Sequence, residues 1–218
     1  GTLFQVDTSS SPGDVKLAKS GTGSNYIYAL QGNRQHGFWR YDISADSWIL
    51  LAGTPDKVKW GGALVSDGGN YIYALRGYGR QDFWRYDISA DSWTSLAGTP
   101  GGVGYGGALA YDGSGYIYAL RGYNTRHFWR YDISANSWTS LADTHDNVKE
   151  GGALAYDGGN YVYAFQCDDT ETLWRYDISA DFWTLMADSP GCVGNGAALT
   201  YDGGSYIYAL RGRWTDDF

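Results

Sequence analysis

The segment YIYAL begins at Tyr26, Tyr71, Tyr116 and Tyr206, and its variant YVYAF begins at Tyr161. Successive copies stand 45 residues apart, with nothing inserted or lost between them. A strict period of this length marks a repeat architecture, in which a small supersecondary unit stacks on copies of itself because it cannot bury its apolar faces alone. Residues 71–115 and 116–160 are identical at 32 of 45 positions, so the array was amplified recently or built to a consensus.

Each unit holds four short runs separated by turn residues. In the unit that starts at Gly106 these are GGALAYD (106–112), YIYALRG (116–122), FWRYDIS (128–134) and SWTSLAD (137–143). Period-two alternation in YIYAL and FWRYD, bounded by Gly, Asp, Asn and Ser, reads as strand. A load of 20 Tyr, 10 Trp and 32 Gly with a single Met points the same way. The expected fold is all-β: four-stranded antiparallel blades, stacked so that each covers its neighbours, in a five-bladed propeller. Trp39, Trp84, Trp129 and Trp174, with Trp48, Trp93, Trp138 and Trp183, recur at fixed phase and are assigned to packing between blades. Asp42, Asp87, Asp132 and Asp177 each precede a tight turn and are read as turn caps.

The string GGALAYDG, YIYALRG, FWRYDISADSWTSLA resembles the kelch repeat, a β-propeller blade with a Tyr-Asp step, a short turn and a Trp. The second strand departs from the kelch pattern, with Gln31-Gly32, Arg76-Gly77, Arg121-Gly122, Gln166-Cys167 and Arg211-Gly212 in place of the usual glycine doublet. Kelch propellers also usually have more blades than the five implied here. The resemblance implies a propeller that binds a protein or peptide, although a few kelch-like propellers are enzymes, including copper-radical oxidases and a sugar mutarotase. A single domain over residues 1–218 is expected, with units starting near 26, 71, 116, 161 and 206. The ring would close by joining N- and C-terminal strands in one blade, with TLFQVD (2–7) supplying one of them; a piece of a longer propeller is the alternative.

The units differ at selected places. Turns after the first and third strands are nearly constant, whereas the loop after the second strand reads NRQHG, YGRQD, YNTRH, DDTET and RWTDD. The connection between blades varies as strongly, from PDKVKWG to PGGVGYG to HDNVKEG. In an up-and-down blade both variable segments lie at the same end, so variation gathers on one face. That face carries Trp60, Tyr78, Tyr105, Tyr123, Trp214, His36 and His127, and it is the candidate ligand-binding face, because loops on a rigid scaffold are where recognition is placed. Arg76, Arg121 and Arg211, with Gln31 and Gln166, stand at equivalent positions around the channel mouth, where they would either clamp a carboxylate or pair with neighbouring acids. Cys167 and Cys192 fall on this face in adjacent blades, which leaves open a disulfide worth on the order of 3 kcal/mol or two separate thiols.

No metal-ligand spacing, catalytic triad, paired carboxylate motif or phosphate loop is visible, so no metal, cofactor or catalytic residue is assigned. His127 and His145 lie in neighbouring loops without such a spacing. A net charge of −8 argues against nucleic acid and anionic membrane as partners. The expectation is a monomeric, soluble, non-catalytic binding module for a protein or peptide. A single-site extracellular lectin and a structural or adhesin module are the alternatives. A secreted location is favoured over others.

Overall fold

A computed structural model describes residues 15–19, 25–166 and 170–212. The first sheet comprises β1 (Val15–Lys19), β2 (Tyr26–Gln31), β3 (Phe38–Asp42) and β4 (Ser47–Leu50). The second comprises β5 (Ala63–Ser66), β6 (Tyr71–Leu75), β7 (Phe83–Asp87) and β8 (Ser92–Ser95). The third holds β9 (Ala108–Tyr111), β10 (Tyr116–Leu120), β11 (Phe128–Asp132) and β12 (Ser137–Ser140), and the fourth β13 (Ala153–Tyr156), β14 (Tyr161–Phe165), β15 (Leu173–Asp177) and β16 (Phe182–Leu185). A fifth unit is described by its inner pair, β17 (Ala198–Tyr201) and β18 (Ile207–Leu210). Strands follow chain order in every sheet and all pairings are antiparallel, as the four-run reading of each repeat requires.

The first strands of successive sheets lie side by side, β1 by β5, β5 by β9, β9 by β13 and β13 by β17. This is a β-propeller, all-β, and the described residues form four four-stranded blades and the inner pair of a further one. The segments assigned to ring closure, residues 2–7 and those after 212, lie outside the described residues.

Blades stack on both faces, and that overrides the one-sided burial that period-two alternation suggests. Ile72, Tyr73, Ala74 and Leu75 are all sealed, because each side of β6 meets another blade. The packing unit is an aromatic wedge. Phe38 sits edge-on to Tyr86 and Trp93 of the next blade at 4.8 and 4.9 Å, Phe83 to Tyr131 and Trp138 at 4.8 and 5.0 Å, and Phe128 to Tyr176 and Trp183 at 4.9 Å each. Edge-to-face pairs add to area burial because a positive ring edge meets a negative ring face.

The constant turns supply a clasp between blades. Asp91 Oδ1 accepts the Tyr86 hydroxyl of its own blade at 2.6 Å and the Ala52 N–H of the preceding blade at 2.8 Å. Trp93 Nε1 then donates to the Ala52 carbonyl at 2.9 Å. Asn136 with Tyr131 and Trp138, and Asp181 with Tyr176 and Trp183, repeat the arrangement on Ala97 and Ala142. Asp91, Asn136 and Asp181 sit at φ near +46 to +50°, a left-handed conformation that Asp and Asn tolerate better than other side chains. Trp48, the equivalent residue of the first blade, is 43% exposed. The repeated aspartates are turn caps: Asp87 Oδ1 accepts the Ser89 and Ala90 amides and the Ser89 hydroxyl. Those bonds hold its carboxyl below the usual carboxylate range, the Ser89 hydroxyl contributing most.

Candidate functional site

Both variable segments do lie together. Residues Gln35, Arg80, Thr125 and Thr170 of the loop after the second strand each form a two-residue bridge with Val58, Val103, Val148 and Val193 of the following connection. Each valine amide donates to the carbonyl of its partner at 2.7–2.9 Å, and all four valines are buried to 2% exposure or less. One fixed apolar anchor in an otherwise variable connection thus holds the loop backbone in the same place in each of these four units. Side chains around it are free to differ.

Blades two and three use this freedom to build an aromatic cavity. Gly61, at φ +80°, lies against the Gly104 carbonyl so closely that a Cβ at 61 would collide with it. This close approach of two connections brings Trp60 and Tyr105, equivalent residues of adjacent units, into a stack with ring centres 5.2 Å apart and planes 19° from parallel. Tyr78 joins from the loop after β6, 5.7 Å from Trp60, its amide donating to the Trp60 carbonyl at 2.8 Å. Tyr123, after β10, donates its amide to the Tyr105 carbonyl at 2.7 Å and lays its ring across Gly104. A side chain at 104 would run into that ring. The four aromatic side chains and Gly104 line an open cavity of about 340 Å³.

Two of these walls are strained. Tyr78 and Tyr123 adopt φ of +62 and +57°, while the first unit places Asn33 at the same position with φ +52°. A bulky residue in this left-handed region costs on the order of 1–2 kcal/mol relative to Asn or Gly. Bulk is retained here, 42% exposed at Tyr78 and 54% at Tyr123, where burial cannot explain it. Strain at exposed aromatic residues is a feature of ligand sites. Sequence reading gave the residues but not this signal, which depends on backbone angles.

The arginines are placed differently from a five-fold clamp. Arg76 is occupied by two carboxylates, Asp56 at 2.7 Å and Asp82 at 3.1 Å. Asp56 is held ionised by the Lys57 amide and by that guanidinium, which keep it below the ordinary carboxylate range. Arg76, Arg121 and Arg211 each donate Nε to a carbonyl 19 residues earlier, those of Lys57, Gly102 and Cys192, and so clip the connection onto the blade. Gly101 and His127 stand where Asp56 and Asp82 do, so the third unit lacks the carboxylate pair. The histidines are separate: His36 Nδ1 lies 2.9 Å from the Thr54 carbonyl, His127 Nδ1 3.3 Å from Asp143, and His145 Nε2 3.0 Å from the Trp183 carbonyl. Cys192 is half-buried with Sγ 3.9 Å from Glu171 Oε1. Cys167 and Trp214 lie outside the described residues, so the disulfide and the fifth rim aromatic do as well.

The fold is that of a β-propeller, with an aromatic cavity on its variable face. No protein-family model matches the chain, and no curated protein does. Among solved structures it is similar to YjhT, a propeller-type fold, with a TM-score of 0.68 over 86% of this chain and 69% of that one. The two are 14% identical, a likeness of fold alone.

Proposed function

We propose that this chain is a non-catalytic recognition module that engages a protein or peptide through the aromatic cavity on its variable face. The observation that carries this reading is convergence: four aromatic side chains from positions that vary between units meet in one cavity. Exposed Trp and Tyr offer large contact area at low entropy cost, which is why they anchor interfaces. The non-catalytic part rests on the histidines, each engaged with its own carbonyl or carboxylate, away from one another.

A single-site glycan is the second reading, favoured by the exposed rings of Tyr78 and Tyr123, on which a sugar ring could stack. Screening wild type and the Trp60→Ala/Tyr123→Ala variant on peptide and glycan arrays separates the two. Capture of a peptide by wild type and its loss in the folded variant is the expected result. Capture of glycans alone moves the assignment to the second reading. Equal capture by both proteins removes the cavity from consideration, and silence from both leaves a structural module.

A further inference from the structure

We propose that the aromatic cavity receives a basic side chain, an arginine of a peptide partner, and that Lys59 is its built-in competitor. This rests on the recognition reading above and names the chemistry of what is recognised.

The protein already places cations on tyrosine faces throughout. Arg40, Arg85, Arg130 and Arg175 each stack their guanidinium on the ring of Tyr26, Tyr71, Tyr116 and Tyr161, at 4.3–4.6 Å. On the variable face Lys59 does the same, its Nζ standing 3.1 Å above the centre of the Tyr78 ring. One unit later the tyrosine is kept, as Tyr123, but the lysine becomes Gly104. Among the described residues no cation sits on Tyr123. The cavity lies beside this ring and is lined also by Trp60, Tyr78, Gly104 and Tyr105.

The negative face of an aromatic ring attracts a cation, at an exposed site as well as, more strongly, where water is kept away. A neutral group gains only the area term. The whole-protein charge of −8 adds a long-range attraction for basic peptides. The opposing term is Lys59, a like charge at the cavity edge that already uses one ring. An incoming guanidinium must share Tyr78 or displace Lys59 into solvent. Removing Lys59 therefore strengthens cation binding, where an anionic ligand would be weakened and a neutral one left unchanged.

The test is calorimetric titration of wild type, Lys59→Ala and Trp60→Ala with a short capped peptide carrying one arginine and with its citrulline counterpart, which keeps the shape and loses the charge. Gly104 and Gly194 stand at the Lys59 position in other units, so losing this side chain leaves the fold intact. The arginine peptide is expected to bind about fivefold tighter than the citrulline peptide. Lys59→Ala should tighten the arginine peptide roughly threefold and leave citrulline unchanged, and Trp60→Ala should remove the preference. Equal affinity for both peptides, or weaker arginine binding in Lys59→Ala, overturns the cation assignment while leaving peptide recognition in place. Heat from neither peptide also overturns it; if the peptide array is silent as well, the recognition reading falls with it.

Discussion

Substituting Asp91 tests the clasp that joins the first two blades. In Asp91→Ala the Tyr86 hydroxyl, in a residue 1% exposed, loses its 2.6 Å acceptor. An orphaned buried hydroxyl costs about 1–3 kcal/mol. The Ala52 amide loses its 2.8 Å bond across the junction, about 1 kcal/mol, and part of that is recovered from water because Ala52 is half-exposed. Alanine must also hold φ +46°, roughly 1 kcal/mol worse than Asp. The sum is about 3 kcal/mol, a large share of the 5–15 kcal/mol typical of a domain. Asp91→Asn is the control, because Asn136 performs the same two acceptances one unit later at φ +48°. It should cost under about 1 kcal/mol. Urea unfolding followed by circular dichroism and tryptophan fluorescence measures both. Stability in a blade array is largely a sum over neighbouring junctions, so the alanine variant should also show an added early transition as the first blade detaches. An alanine cost below about 1 kcal/mol, or an asparagine cost equal to it, refutes the clasp as an energetic junction.

Tyr123→Asn should leave stability unchanged or raise it by up to about 1 kcal/mol, since it relieves left-handed strain at a half-exposed residue, while abolishing ligand capture; a clear loss of stability in the same urea assay argues that the ring is there for packing. Burial pushes the Tyr73, Tyr118 and Tyr131 hydroxyls up to about 12. A raised folded value means stability is flat below the unfolded value of about 10 and is lost as pH rises from there toward about 12. Phenolate absorbance of these residues should accordingly appear together with loss of near-ultraviolet dichroism. Ionisation near pH 10 with native dichroism intact contradicts that account.

Much of the fold was legible because the period repeats local chemistry. YIYAL and FWRYD carry strand propensity, DISAD carries turn chemistry, and a constant 45-residue spacing says that the same contact recurs at every junction. The role of Asp91 and Asn136 across the junction was hidden, since it joins residues 39 positions apart through a backbone amide that leaves no mark on residue type. The variable face was legible from differences between units. Which of its residues meet was not. Nothing in residue type says that Trp60 and Tyr105, 45 positions apart, will stack, and it is the approach of Gly61 to Gly104 that brings them together. Arg76 and Arg121 read as one class from their shared position, yet Asp56 and Asp82 fill the first and Gly101 and His127 flank the second.

The bridge between Arg80 and Val103, repeated in the other units, has a consequence for how such a surface can change. Because each of the four units whose loop is described carries the same socket, these units can in principle follow one another in any order without disturbing the frame. The cavity, however, belongs to no unit: Trp60 comes from one connection and Tyr105 from the next. Specificity is thus a property of adjacency. Shuffling the order of otherwise unaltered units would erase this cavity and create different ones, so a lineage that duplicates and permutes units acquires new pockets without inventing a new residue.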